Sequence, residues 1–378
     1  MIYLDNAATT YPKPKSVYDE CLSCMKSYGG NPGRGSHALS LAAAEKIYEC
    51  RGNIASFFGS ESPENVFFTL NTTHSLNTVI KGVLHEGDHV LISDLEHNSV
   101  YRPVYRLARE GYIKFGVFRS FAGQNHSTLD ILNDIESKLT LKTRLVVCTH
   151  ASNICSETLP IEEIGALCER RGIFFCIDAA QSAGHMPLDI KACRARAICA
   201  PGHKGLYGPQ GCGVVVLSDG AALNTLTEGG NGINSLEGSM PEFSPERYEA
   251  GTLPTPAIAG LCEGVREISA LGTARIHEHE KTLFRYAKKR LYGIGGVKIY
   301  APDAEGSVLL FNKDGVSPDT LGEGLNSRGI CVRSGYHCAA LAHSALKTPP
   351  GGAVRASFGI YNTESDVDAL AEAVKEIK

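Results

Sequence analysis

Between residues 65 and 217 the chain repeats one pattern, a short β-rich apolar run followed by a helix-length amphipathic segment. The runs fall at 65–70, 89–93, 113–118, 144–149, 173–177, 195–200 and 213–217. Strand and helix in alternation predict a largely parallel sheet covered by helices on both faces, because a parallel connection has to cross back over the sheet. Ahead of this unit, Val17, Cys21, Cys24 and Tyr28 mark one face of a helix over 16–28, and a longer helix over 38–58 is stopped by Gly59. Beyond about Gly251 the character changes. Two long helical patterns at 255–271 and 275–292 lead into strands near 297–300 and 307–311. A helix at 318–327, strands near 330–333 and 354–358, and a last helix come next. Thr363-Glu364-Ser365-Asp366 opens that last helix as a capping box. This tail reads as a smaller α+β domain behind a large α/β domain.

The length agrees with two domains rather than one, since 378 residues is more than twice the roughly 150 typical of a single domain. Apolar residues at 43% and charged residues at 21% exclude a disordered chain. The net charge of -4 is spread without a basic stripe or an acidic tail, so no nucleic-acid partner is expected. The longest apolar runs, 173–177 and 214–217, are far too short to cross a bilayer. MIYLDNAATT has neither a basic n-region nor an apolar h-region and is not read as a signal peptide. Thirteen cysteines at irregular spacings make no disulfide framework and are expected as reduced, mostly buried thiols of a soluble cytoplasmic enzyme.

Three patterns imitate chemistry. Cys21-x-x-Cys24 has the spacing of a zinc or redox pair, but both thiols lie on an apolar helix stripe and no second pair is near. His277-Glu278-His279 lacks the i,i+4 histidine spacing of a zinc protease. Gly208, Gly211 and Gly213 do not open a helix after a strand as a dinucleotide fingerprint requires. No metal is expected.

The chemistry concentrates between Thr149 and Leu217. One predicted strand ends in His150-Ala151-Ser152-Asn153, a second in Asp178-Ala179-Ala180-Gln181, and a third runs into Pro201-Gly202-His203-Lys204. Ligands of α/β sheets bind at strand C-termini, so these residues are expected on one rim. Lys204 there is either a surface lysine in an ion pair or a Schiff-base lysine holding pyridoxal 5'-phosphate, with Asp178 on the pyridine nitrogen. Its placement among strand ends favours the second reading.

PGHKGLYGPQG around Lys204 resembles the cofactor-lysine motif of class V, fold-type I pyridoxal phosphate enzymes, and most closely the cysteine desulfurases of the selenocysteine lyase-like branch. The resemblance continues through YLDNAATTYPKP, NPGRGSH, TLNTTHSLNTVIKG, SDLEHNSVYRP, HASN, IDAAQSAGH, YEAGTLPTPAIAGL, VRSGYHCAALAH and VRASFGIYNT, in the family's order over nearly the whole chain. It implies a large cofactor-binding α/β domain over 14–262 and a small α+β domain of 1–13 and 263–378 carrying the catalytic cysteine and a substrate arginine.

The resemblance also implies roles. Thr72, Thr73 and His74, in a turn that opens a helix, would bind the cofactor phosphate with His203. His97 would stack on the ring and handle protons, and Asn153 and Gln181 would bond the cofactor or substrate. Arg355 would clamp the substrate carboxylate, and Arg34 is expected on the substrate side. Cys338 would take the sulfur of L-cysteine as a persulfide, leaving L-alanine and passing sulfur to an acceptor, with a sulfur-acceptor protein among the candidates. Its segment, with Arg333, Gly335 and His337, reads as polar and free to move. Thr252 and the loop 31–37 are expected to complete the partner's site in a homodimer. L-selenocysteine is an alternative substrate. Two further alternatives are an aminotransferase or lyase that does not use the thiol, and a scaffold without cofactor. Pro201 stands where relatives often carry a hydroxyl residue.

Overall fold

The chain opens with a two-residue strand, β1 (Ile2–Tyr3), too short to leave any periodic signal. Helix α1 (Lys15–Ser23) continues as a π-helical turn, Cys24–Tyr28, and is followed by α2 (Ala38–Phe57). The alternating unit then runs β2 (Val66–Thr69), α3 (Thr72–Val83), β3 (His89–Ser93), α4 (Asn98–Arg109), β4 (Lys114–Phe118), α5 (Thr128–Lys138), β5 (Thr143–Thr149), α6 (Ile161–Arg170), β6 (Phe174–Asp178), β7 (Ala197–Pro201) and β8 (Gly213–Leu217). After it come α7 (Thr255–Leu271), α8 (Thr273–Tyr292), β9 (Val297–Tyr300), β10 (Val308–Lys313), α9 (Pro318–Asn326), β11 (Ile330–Cys331), β12 (Arg333–Gly335), α10 (Ala340–Ala345), β13 (Ala353–Ser357) and α11 (Glu364–Glu376). This computed structural model describes residues 1–33 and 35–378; Arg34, expected on the substrate side, lies outside the described residues.

The alternating unit folds into one seven-stranded sheet of order β2-β8-β7-β6-β5-β3-β4. β8 pairs antiparallel with both neighbours while the other pairs are parallel, so β8 alone runs against the rest. Successive side chains point to opposite faces, and each face has its own core. Leu91, Val146, Phe175, Ile177, Ile198 and Val214 pack on one side; Val90, Ile92, Val147, Cys176, Cys199 and Val215 pack on the other. Burial on both faces is why these strands read as continuous apolar runs rather than as alternating ones.

The tail forms an antiparallel sheet of order β12-β13-β10-β9. Its core, with Phe284, Leu309, Phe311, Val354 and Leu370, also takes in Leu4 from the first residues of the chain. β1 pairs in parallel with β11 in a separate two-stranded sheet, and a bridge from Asp5 to Ser357 ties the N-terminal segment to β13. The single strand expected near 330–333 is two, because Ile330 and Cys331 pair with β1 whereas Arg333–Gly335 pair with β13. The Asp366 carboxylate accepts the Thr363 N–H at 2.9 Å and closes the start of α11. Ten cysteines are buried, Cys21 and Cys331 are half-buried, and only Cys338 is exposed. Among the described residues no helix is long and apolar enough to cross a membrane, and no cluster of side chains is arranged to hold a metal ion.

Candidate active site

β5, β6 and β7 end side by side, with Thr149 opposite Asp178 and Asp178 opposite Cys199. That register delivers the segments 149–153, 178–181 and 201–204 to one edge of the sheet. The turn before α4 brings His97 to the same edge, and β12 and β13 bring Arg333 and Arg355, which are cross-strand neighbours.

Asp178 is buried, and its carboxylate accepts the Ala180 N–H at 2.9 Å. Burial pushes its pKa up to about 6, against the pull of that N–H and of the Lys204 charge. Among the described residues it has no ion-pair partner. Burial also pushes the Lys204 amine down to about 8; Asp178 opposes the shift, and Arg355 and Arg333 reinforce it. His97 accepts the Ser99 N–H on Nδ1 at 3.1 Å, which assigns its remaining proton to Nε2. Burial first, then the charges of Lys204, Arg333 and Arg355, hold this ring near pKa 4, so it is neutral at pH 7.

At the other end of the site, Thr69, Gly213 and Pro201 lie in register across β2, β8 and β7. The start of α3 therefore sits beside the turn that carries His203. The Asn71 side chain accepts the His74 N–H at 3.0 Å as the N-cap. Thr72 Oγ1 and His203 Nδ1 are both buried without a hydrogen-bond partner, a state that native proteins rarely leave uncompensated. Orphaned polar atoms at a helix N-terminus suit an anion. A depressed amine, an unpaired buried carboxylate and this anion end together fit a phosphorylated, carbonyl-bearing cofactor with a protonated ring nitrogen.

Other expected residues are engaged within the chain. Thr73 is exposed, and His74 Nδ1 accepts the Leu70 N–H at 3.3 Å. Gln181 donates to Ala7 O at 3.0 Å. Arg355 is buried, donating from Nη1 to Asn153 O at 3.0 Å and from Nη2 to Asp5 Oδ1 at 2.6 Å, which leaves Nε without a partner. The Asn153 amide donates to His337 O at 2.9 Å, and the Asn98 N–H donates to Cys338 O at 2.7 Å. The segment expected to be free to move is thus tied at two successive carbonyls, and just beyond it the chain turns into α10. Thr252 is exposed on the wall of a cavity of about 580 Å³ lined by Asn31, Gly33, Tyr48, Asn231 and Phe243, whose walls include neither Lys204 nor Asp178.

Sequence reasoning missed the N-terminal strap and Glu96. His203 O faces the Thr10 N–H at 3.2 Å, Thr9 Oγ1 at 3.0 Å and Lys13 Nζ at 2.6 Å, while Thr10 Oγ1 donates to Lys204 O at 3.0 Å. Burial pushes the Lys13 amine down to about 7. These residues lie in YLDNAATTYPKP, whose small hydroxyl residues were the available signal. Glu96 is fully buried, accepts the Thr149 N–H on Oε1 at 2.8 Å and leaves Oε2 unpartnered. Burial, reinforced by the charge of Asp178, pushes it up to about 8, so at pH 7 Glu96 carries a proton and Asp178 is the ionised carboxylate.

The chain matches the family described as aminotransferase class-V over residues 2–370. It is 35% identical, across its whole length and 94% of the relative, to a probable cysteine desulfurase of Methanothermobacter thermautotrophicus. It is 30% identical, over its whole length and 93% of the relative, to a cysteine desulfurase of Yersinia pseudotuberculosis. Among solved structures, the apo cysteine desulfurase from Thermococcus onnurineus superposes with a TM-score of 0.89 at 32% identity, covering 99% of this chain and 94% of that one. The cysteine desulfurase CsdA from Escherichia coli gives a TM-score of 0.86 at 25% identity over the same shares of the two chains.

Proposed function

The chain belongs to the class V aminotransferase family, in its cysteine desulfurase branch, and from that membership we propose that it converts L-cysteine to L-alanine with pyridoxal 5'-phosphate as cofactor. Bound there, the cofactor supplies an electron sink conjugated with the α-carbon of the substrate. Lys204 would hold it covalently, Asp178 would take its ring nitrogen, and Thr72, Thr73, His74 and His203 would take its phosphate. Asp178 is ionised above about pH 6 and so would favour the protonated form of the ring nitrogen. The Lys204 amine, near pKa 8, is matched to taking the α-proton close to neutral pH. His97, neutral at that pH, offers a ring face rather than a charge. Arg355 would bind the substrate carboxylate through its free Nε edge.

Cys338 would attack the substrate sulfur. An S–S bond forms on Cys338, the Cβ–S bond breaks, and its electron pair stays on Cβ, which takes a proton and becomes the methyl group of alanine. An acceptor, thiol or protein, then collects sulfur from this exposed side chain. The observation that carries the reading is the link through Asn153. Its carbonyl receives Arg355 and its amide holds the His337–Cys338 turn, so one residue sets the distance between carboxylate clamp and thiol. Incubation with L-cysteine and a reductant should yield alanine and sulfide in equal amounts, with L-selenocysteine and cysteine sulfinate run alongside to rank substrates. Absence of alanine from all three would refute the proposal.

The working unit we propose is a homodimer. Leu41, Ala44 and Tyr48 form one stripe of α2; Ala44, Tyr48 and Phe243 line the cavity that holds Thr252, and Leu41 (54%), Tyr48 (57%) and Phe243 (52%) are exposed. An apolar rim of this kind is covered in most soluble proteins, and a second copy of the chain is the occupant the family supplies. Sedimentation at working concentration should give twice the mass of one chain; a fully active monomer would contradict it.

A further inference from the structure

Behind Cys338 lies a buried hydrogen-bonded chain that the proposed chemistry does not use. His337 and His343 are 4% and 2% exposed, and their rings lie nearly parallel, 13° apart with centroids 5.5 Å apart. His337 Nε2 is 3.2 Å from Arg333 O, His337 Nδ1 is 3.2 Å from His343 Nε2, and His343 Nδ1 is 2.9 Å from Thr348 Oγ1. Burial is the leading cause that holds both imidazoles well below their ordinary pKa, near 3 and 4, so each ring carries one proton. A carbonyl cannot donate, so His337 must place its proton on Nε2, toward Arg333 O. Its Nδ1 then accepts from His343 Nε2–H, and His343 Nδ1 accepts from the Thr348 hydroxyl. Only this arrangement satisfies every member of the chain.

The chain ends on strained backbone. His337 has φ of 50° and Cys338 has φ of 55°, two consecutive non-glycine residues in the left-handed region, which persist only where the surroundings enforce them. Asn98 and Asn153 hold the two carbonyls of this turn from outside, and the imidazole chain holds its side chain from within.

We infer that His343 is a positioning residue for the thiol, fixing through His337 the left-handed turn that sets where Cys338 Sγ stands. The inference rests on the reading of Cys338 as the sulfur-accepting group. It is tested on the cofactor-loaded enzyme with His343→Leu, His343→Gln and Thr348→Val, measuring alanine formation from L-cysteine. Leucine should lower kcat by about tenfold with KM within about twofold, since the clamp at Arg355 is untouched and one buried hydrogen bond is lost at each end. Glutamine, whose amide donates from the Nε2 position, should recover most of that loss. Valine at 348 should cost about threefold in kcat, as the outer donor alone is removed. The inference is overturned by leucine within twofold of wild type, by glutamine as impaired as leucine, or by KM rising in step with the fall in kcat. Should the His343 variants fail to fold, an unchanged kcat in Thr348→Val overturns it on its own. A Cys338→Ser protein that still makes alanine would instead sink the reading of the thiol, whatever the His343 variants do.

Discussion

Lys204→Ala should bind pyridoxal phosphate only loosely, lose the visible absorbance of the lysine-linked cofactor, and make alanine from L-cysteine slower by on the order of 10³-fold or more. The loss should be this large because two proposed duties fall on one amine, the covalent hold on the cofactor and the transfer of the α-proton. No neighbour replaces it. Lys13 has an amine lowered to about 7, but that amine is spent on His203 O at 2.6 Å, and His97, with its pKa held near 4, is a weak base whose Nδ1 is already engaged by Ser99. The structure of the turn should survive, since the Lys204 carbonyl and not its side chain receives Thr10. Absorbance after addition and removal of excess cofactor, with alanine counted in parallel, checks both halves. A variant that keeps the absorbance and the turnover would remove Lys204 from its assigned role.

The fold was legible where burial is symmetric. His89–Ser93 and Gly213–Leu217 appear in the sequence with the bounds they have in the sheet, because both faces of these strands are covered and the runs are buried from end to end. The direction of β8 was not legible, since a strand buried on both faces reads the same in either direction. β1 and β11 are two residues each and pair across nearly the full length of the chain, which no local pattern can announce.

The site divides in the same way. Asn153, Asp178 and Lys204 were expected on one rim by the rule that strand ends carry ligands, which depends only on the order of local elements, and the register of β5, β6 and β7 puts them on one edge. What binds them to the rest of the molecule is non-local. Asp5 meets Arg355, Thr10 meets Lys204, and Asn153 meets His337, each across a long stretch of intervening chain. Glu96 was hidden for another reason. Its neighbour His97 is the residue that the family resemblance singles out, and a carboxyl in a turn looks solvated until the fold buries it against Thr149 and near Asp178.

Cys338→Ser should separate the cofactor from the thiol. Lys204, Asp178 and Arg355 are untouched, so L-cysteine should still bind and change the visible spectrum, with its affinity within a few fold of wild type. Alanine formation should fall by about a hundredfold or more, because a serine hydroxyl is a far weaker nucleophile toward sulfur and no other thiol is exposed to take its place. Cys331 is only half-buried, yet its strand pairs with β1 and not with the strand that carries Arg355. The most direct measurement combines one turnover of L-cysteine by the wild-type enzyme with a count of alanine and a peptide mass map of all thirteen cysteines. One extra sulfur on Cys338, in amounts matching the alanine, is the expected result; alanine in full yield with Cys338 still a plain thiol would contradict the account.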